Sequence, residues 1–320
     1  MKLAQTILKS ELSIFEQEFR EAVKSKVPLL DRIMRFIVNR KGKQLRPMFV
    51  MLSARLAGEI NPSTYRAASL VELLHTATLV HDDVVDESFE RRGFFSTYAL
   101  WKSKISVLVG DYLLAKGLLL SLDHNDFRIL QLLSNAVRLM SEGELLQIEK
   151  SRSLNLDENI YFEIIRNKTA SLLASACAAG AYSTTQDEAI AEKMRLFGEC
   201  VGIAFQIKDD LFDYGTDEIG KPTGNDIKEK KLTLPLIYTI NHADRATRKK
   251  LIYIIKNQNK DSAKVREVID IVKASGGIAY TENKMMQYRD NALAILKEFD
   301  NPEIIEALEE LVRYTTDRKY

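Results

Sequence analysis

Two short segments of this chain place aspartates at positions i, i+1 and i+4: His81 to Asp86 reads HDDVVD, and Lys208 to Asp213 reads KDDLFD. On a helix advancing about 100° per residue, Asp82 and Asp86 lie about 40° apart on one face, with Asp83 on the flank. Asp209 and Asp213 have the same relation, with Asp210 beside them. Like charges at i, i+4 cost a helix roughly 0.2–0.5 kcal/mol, and the apolar neighbours Leu79, Val80, Val84 and Val85 raise that cost by partial burial. A bound cation removes the objection. Oxygens from adjacent turns suit a hard divalent ion such as Mg²⁺, held by a pair of carboxylates with waters and substrate phosphates in the remaining positions. A solvated acidic face would explain one such cluster; the repeat, in apolar context, argues for metal at both.

Basic residues stand close to these clusters. Arg91 and Arg92 follow the first, Lys43 and Arg46 flank the turn KGKQLRP, and Lys221 and Lys231 follow the second in GKPTGNDIKEKKLTLP. Arginine forks suit phosphate oxygens bidentately, and lysine adds a compact charge. His75 is about 20° from Asp82 on the helical wheel and Gln206 about 60° from Asp209, while Lys168-Thr169 opens an Ala/Ser-rich run. Metal between carboxylates, ringed by Lys and Arg, makes a receptor for a pyrophosphate-like group. No Walker A loop or GxGxxG points to a nucleotide.

Helices must carry these groups. Apolar residues recur at helical spacing through Ala67, Leu70, Val71, Leu74 and Ala77, and through Leu130, Leu133, Val137 and Met140. With 14 Gly and 6 Pro among 320 residues, punctuation is too sparse for many short strands. Breaks at Gly58 to Pro62, Asp123 to Asp126, Gly215 to Gly224, Gly276-Gly277 and Asn301-Pro302 divide the chain into helices. The expectation is one all-α domain over residues 1–320, with the last forty or so residues as a possible peripheral subdomain. The 46 Lys+Arg against 45 Asp+Glu leave a net charge of +1, so no global field argues for nucleic acid or an anionic membrane surface. Cys177 and Cys200 form no CxxC or Cys/His spacing and suit a reducing cytosol. The first twenty residues read as an amphipathic helix, and the longest uncharged stretch, Thr169 to Gln186, is Ala/Ser/Thr-rich. No transmembrane helix is expected.

The blocks GKQLRP (Gly42 to Pro47), ELLHTATLVHDDVVDESFERRG (Glu72 to Gly93), VLVGDYLLAKG (Val107 to Gly117), SEGELLQ (Ser141 to Gln147), KTASLLASACAAGA (Lys168 to Ala181) and GIAFQIKDDLFDYG (Gly202 to Gly215) occur in an order that closely resembles the trans-isoprenyl diphosphate synthases, particularly the long-chain polyprenyl diphosphate synthases. The resemblance implies an all-α isoprenoid synthase fold, a helical bundle around a deep central cavity, usually dimeric. It implies that Asp82 and Asp86 bind two Mg²⁺ ions with Asp83 in support, and that Asp209 anchors a third with Asp210 and Asp213 nearby. Arg91, Lys168, Lys221 and Lys231 would grip an allylic diphosphate such as farnesyl or geranylgeranyl diphosphate. Lys43, Arg46, His75 and Arg92 would hold isopentenyl diphosphate, and Lys168, Thr169 and Gln206 would present oxygens to the allylic cation. The implied reaction needs no side-chain nucleophile, and none of the usual nucleophilic arrangements is present. A homodimer, a cytoplasmic location or a peripheral one at the membrane, and quinone side-chain supply are the accompanying expectations. Lys41 and Lys230 stand where the family often has Gly.

In this family bulky residues four and five positions before the first Asp limit product length. Here those positions are Thr78 and Ala77, so the resemblance implies a product of roughly C30 to C50, small side chains leaving a void. On the wheel Thr78 is about 40° from Asp82 and Ala77 about 140° away. Three other readings compete. HTATLVHDDVVD also suits an HD-type metal-dependent phosphohydrolase, a terpene cyclase uses Asp-rich Mg²⁺ helices, and a non-catalytic subunit of a heteromeric synthase would keep the fold.

Overall fold

A computed structural model describes residues 1–39, 42–91, 94–154, 156–215 and 223–317, with Arg91 described by its backbone alone. Helices run over Lys2–Ile7 (α1), Lys9–Ala22 (α2), Pro28–Val38 (α3), Leu45–Ala57 (α4), Pro62–Val85 (α5), Thr97–Leu122 (α6), Phe127–Ser153 (α7), Glu158–Ile165 (α8), Ser171–Thr185 (α9), Glu188–Phe212 (α10), Asn225–Lys228 (α11), Leu234–His242 (α12), Arg245–Asn257 (α13), Ser262–Ala274 (α14), Gly277–Leu296 (α15) and Pro302–Asp317 (α16). A π-helical turn, Arg166–Ala170, joins α8 to α9. The sole strand pairing among the described residues is a two-residue antiparallel ribbon, Glu90–Arg91 (β1) with Phe94–Phe95 (β2). The all-α expectation holds.

The punctuation read from the sequence becomes caps. Asn61 accepts hydrogen bonds from the Ser63 and Thr64 amides while the Thr64 hydroxyl accepts from the Asn61 amide, a capping box with Pro62 in the first turn of α5. Asp157, Asp244 and Asp261 accept first-turn amides of α8, α13 and α14, without the reciprocal bond, each cap contributing about 1 kcal/mol. Gly276 takes φ +83 before α15, a left-handed conformation that glycine adopts without strain.

The chain divides into two compact units, neither continuous in sequence. The first comprises Met1–Val137, Ser175–Arg195 and Phe299–Leu311; the second comprises Arg138–Ala174, Leu196–Glu298 and Val312–Tyr320. In the first, α5 lies beside α4 and α6 and buries Ala67, Leu70, Val71, Leu73, Leu74, Ala77 and Val80. Val23, Ile33 and Met34 pack with Val109 and Leu113 of α6 on the Leu73–Ala77–Val80 side of α5. In the second, α11 to α14 close over Ile227, Leu236, Ile240, Leu251, Ile254, Val268 and Val272, each such side chain contributing about 1.5–3 kcal/mol of burial. Among the described residues the last forty are shared between the two units rather than set apart; within the first, Glu310 of α16 accepts the Lys2 and Leu3 amides and pairs with the N-terminal ammonium.

The longest uncharged stretch, Thr169 to Gln186, is not the helical segment whose length and composition suit a membrane span. That is α6, long and apolar enough by length and composition to cross a membrane, with a mean hydropathy of 1.7 in its most apolar window. Its inner face, Ser106, Val109, Gly110, Leu113 and Gly117, is buried, and Asp111 and Lys116 interrupt the run. This is the pattern of a bundle helix with one apolar outer face.

Lys230, at a position where glycine was the family expectation, takes φ 59, so it keeps the backbone that glycine adopts freely; Lys41 lies outside the described residues. A left-handed lysine costs about 1–2 kcal/mol, partly offset by the lower unfolded-state entropy of a non-glycine residue. Lys230→Gly is expected to raise unfolding stability by up to about 1 kcal/mol, measured by urea denaturation; a loss of stability would show that the Lys230 Nζ hydrogen bond to the Lys256 carbonyl outweighs the strain.

Candidate active site

The first aspartate cluster sits at the C-terminal end of α5, in the first unit. Asp82 and Asp86 are exposed, one helical turn apart, and the Asp86 amide donates to the Asp82 carbonyl at 2.8 Å. Asp83 is turned inward and 3% exposed. The sequence reading put Asp82 and Asp86 on one face with Asp83 on its flank and expected partial burial; the structure keeps the shared face but leaves the pair exposed and buries only Asp83. A helix C-terminus carries the negative end of the macrodipole, so this is an unfavourable place for two more negative charges. That strengthens the case for a cationic partner.

His81, one residue earlier, locks this end of α5 to α6. A Cβ built on Gly110 would lie 2.1 Å from His81 Nε2 and 2.4 Å from its Cδ2, so the imidazole occupies the space that any larger residue would need. Nε2 is 3.3 Å from the Val107 carbonyl and 3.4 Å from the Asp111 carboxylate. Sequence reasoning assigned His81 no role here, though GD in VLVGDYLL was a signal. His75 is partly buried with both ring nitrogens shielded, and its carbonyl accepts the Thr78 hydroxyl at 2.9 Å. Ala77 is fully buried in the cluster with Ile33, Met34 and Val109, whereas Thr78 is half-buried.

The second cluster lies at the C-terminal end of α10, in the second unit, and is built differently. Asp210 is 6% exposed; one oxygen accepts from Tyr161 Oη at 2.8 Å and the other from Gln206 Nε2 at 2.9 Å. Asp213 accepts the Asn225 and Asp226 amides on its two oxygens at 2.8 and 3.1 Å, capping α11. Burial, with the charge of Asp226 adding, pushes the Asp210 carboxyl up to about 7, against the lowering effect of its two donors. Burial and Asp213 push Asp226 up to about 6. Asp209, partly exposed, faces a cavity of about 280 Å³ shared with Gln147, Tyr161, Lys168, Thr169, Gln206, Asp226 and Lys231.

The π-turn presents Lys168 and Thr169 to that cavity. π-turns are rare and concentrate at functional sites. Here close approach on both sides holds it: a Cβ on Gly202 of α10 would lie 2.6 Å from Ala170 Cα, and one on Gly143 of α7 would lie 2.7 Å from the Lys168 amide nitrogen. Lys168 Nζ donates to Gln147 Oε1 at 3.1 Å and pairs with Glu144. Thr169 Oγ1 donates to Gln206 Oε1 at 2.8 Å, leaving the Gln206 amide nitrogen to donate to Asp210. Lys231 pairs with Glu229 at 2.5 Å and stands 3.8 Å from Asp226.

The structure thus gathers Lys168, Thr169, Gln206, Asp209, Asp210 and Lys231 in the second unit, and Asp82, Asp83, Asp86 and His75 along α5 in the first. Lys43 is exposed before α4, and Arg46 is half-buried in its first turn. Arg92, Lys221 and the side chain of Arg91 lie outside the described residues. Among the described residues no three His, Cys, Asp or Glu side chains converge as a ready metal cage, so the clusters suit an ion that takes one or two carboxylates and completes its shell from substrate. Sequence reasoning missed Tyr161 and Asp226. The Asp of GND, following a second aspartate cluster, was a legible signal for Asp226; nothing local marked Tyr161.

A family model described as polyprenyl synthetase matches residues 27–272. The chain is 34% identical to an all-trans-nonaprenyl-diphosphate synthase (geranyl-diphosphate specific) of Rhodobacter capsulatus, over 96% of this chain and 95% of that one. It is 33% identical to the octaprenyl diphosphate synthase of Escherichia coli K12, over 93% of each. Among solved structures, a polyprenyl synthase of Caulobacter crescentus complexed with calcium and isoprenyl diphosphate superposes with a TM-score of 0.91 at 36% identity, covering 100% of this chain and 98% of that one.

The contact between His81 and Gly110 makes a specific demand. Gly110→Ala is expected to displace the end of α5 and lower kcat about 100-fold, the scale of a 1 Å misplacement. His81→Ala in the same chain opens the space and should recover part of that loss, so the two effects will not add. A double-mutant cycle in kcat and Tm reads this out, and strict additivity would contradict the contact.

Proposed function

The chain belongs to the polyprenyl synthetase family and is a prenyltransferase, and from that premise we propose that residues 1–320 form one polyprenyl synthase domain that condenses isopentenyl diphosphate onto an allylic diphosphate to give an all-trans product of roughly C30 to C50. The observation that carries the reading is the pair of outward carboxylates, Asp82 and Asp86, at a helix end that is electrostatically poor without a cation. The family match spans residues of both compact units, which supports a single functional domain. The long-chain names of the relatives support the product class.

The donor set fits divalent metal: oxygen-only, carboxylate, open to substrate. Metal at Asp82 and Asp86, and at Asp209, is the proposed arrangement, with Mg²⁺ as the ion and as many as three bound; the calcium in the Caulobacter structure supports divalent metal use. When bound, such ions supply positive charge to a departing diphosphate. The chain's own groups do the rest. Lys168 and Lys231, with Arg91 and Lys221, bind the allylic diphosphate, while Lys43, Arg46, His75 and Arg92 bind that of isopentenyl diphosphate. As the allylic C–O bond breaks, the Thr169 and Gln206 oxygens face the developing cation, the isopentenyl double bond forms the new C–C bond, and a proton leaves to the released pyrophosphate. Apolar walls exclude the water that would quench the cation. The HD-type hydrolase reading would need His81 at a metal, yet its Nε2 is turned to Val107 and Asp111.

The outward face of α6 supports a homodimer. Val107, Leu108, Leu119 and Leu122 are all exposed along it, more contiguous apolar surface than isolated surface residues give. Leu108→Asp is expected to convert the dimer to monomer by light scattering; a wild-type monomer would refute the assembly.

Purified protein alone, with Mg²⁺, farnesyl diphosphate and isopentenyl diphosphate, should elongate the primer, and chromatography of the dephosphorylated product reports its length. No elongation would overturn the reading and leave a subunit role. Asp82→Ala should lower kcat about 10²–10³-fold. Thr78→Phe should shorten the product with little change in Tm. Ala77→Phe should shorten it too while costing about 1–3 kcal/mol, because Ala77 is fully buried among Ile33, Met34 and Val109. Unchanged chain length in both variants would sink the proposed role of these positions.

A further inference from the structure

From Arg245 to Lys260 the chain reads RATRKKLIYIIKNQNK, with six basic residues and no acidic one. In a chain of 46 basic and 45 acidic residues this is a marked local excess. The total charge hid it. Helix α13 turns Leu251, Ile254 and Ile255 into the core of the second unit. At about 100° per residue, Arg248, Arg245, Lys256, Lys249 and Tyr253 then fall within an outward arc of about 140°, and all five are exposed.

Two observations separate this face from an ordinary solvated one. Several basic side chains elsewhere pair with an acid within one helical turn, as Lys24 does with Glu21, Arg35 with Asp31 and Arg138 with Glu142. On α13 Lys250 pairs with Glu267, but Arg245, Arg248, Lys249 and Lys256 make no ion pair among the described residues. The nearby acids are otherwise engaged: Asp244 and Asp261 accept backbone amides as helix caps, and Glu267 also holds Lys264. The second observation is Tyr253, which stands 57% exposed among the cations. An aromatic body with a polar tip favours the boundary between water and lipid.

We propose that α13 is a docking face for a bilayer carrying anionic lipid headgroups. Each Lys or Arg gains from the negative surface potential within a Debye length of the membrane, and Tyr253 sits at headgroup depth. A single-stranded nucleic acid is the poorer fit, because it calls for several stacking platforms and this face offers one ring. The choice of a lipid surface also rests on the prenyl-transfer reading: a diphosphate with a long apolar tail has to leave into a bilayer.

The test uses the full-length protein without substrate. It is sedimented with phosphatidylcholine vesicles and with phosphatidylcholine/phosphatidylglycerol vesicles, at low and high salt. Partition onto the anionic vesicles is expected to exceed that onto neutral ones by about tenfold or more and to fall away at high salt. Arg248→Glu with Lys249→Glu should remove at least tenfold of that binding, and Tyr253→Ala about threefold. Both variants should keep wild-type Tm and wild-type prenyl transfer in detergent. Equal binding to the two vesicle types, wild-type binding by the charge-reversed protein, or tighter binding to single-stranded RNA at the same phosphate concentration would overturn the proposal. Preferential vesicle binding by a protein that transfers no prenyl group would instead overturn the functional reading and leave the docking face standing.

Discussion

Carboxylates buried side by side repel one another and lose hydration, and the second unit is organised around making that tolerable. Asp210 and Asp226 both have raised carboxyl pKa values, burial being the first cause in each. The structure answers with donors. Tyr161 and Gln206 take the two oxygens of Asp210, and the first amides of α11 take those of Asp213. Each donor is held from elsewhere in turn: Tyr161 by the core of α8, Gln206 by Thr169 on the π-turn, and α11 by Ile227 in the apolar cluster. Once carboxylates are buried close together and must be hydrogen-bonded, the positions of a loop, a turn and a helix start follow from it.

The first cluster meets the same repulsion in the opposite way. Asp82 and Asp86 remain in solvent, where water screens them, and only Asp83 is buried. What needs securing there is the direction of the helix end rather than the carboxylates themselves, and the His81 ring seated on Gly110 provides it.

Much of this was legible in the residues. Scarce Gly and Pro with helical periodicity gave the all-α class, the breaks at Asn61-Pro62 and Asp123 to Asp126 became helix ends, and the wheel put Asp82 and Asp86 on one face with Asp83 beside them. Spacing could not show that amides twelve and thirteen residues further on return to Asp213, because that contact depends on a loop closing. Nor could it show the π-turn: KTASLL is as good an α-helix as any, and the departure is imposed by neighbours that approach from both sides. Ala77 reads as small and permissive, yet tertiary packing leaves it no room. The charge of α13 was present in the sequence but averaged away, since a total carries no information about where charges sit.

Along α10, Gly198, Gly202, Gln206 and Asp210 recur at every fourth residue and form one stripe. Opposite them stand Ala174, Ala170, Thr169 and Tyr161. The first two partners keep step with the stripe; then the π-turn lets the facing strand of contacts slip phase, so that a small-residue seam changes over to a polar one within a single turn. Deleting one residue between Arg166 and Ala170 would leave an unbroken α-helix with every backbone hydrogen bond intact, and would rotate Tyr161 by about 100° away from Asp210. At this point the site is a property of residue count before it is a property of residue type.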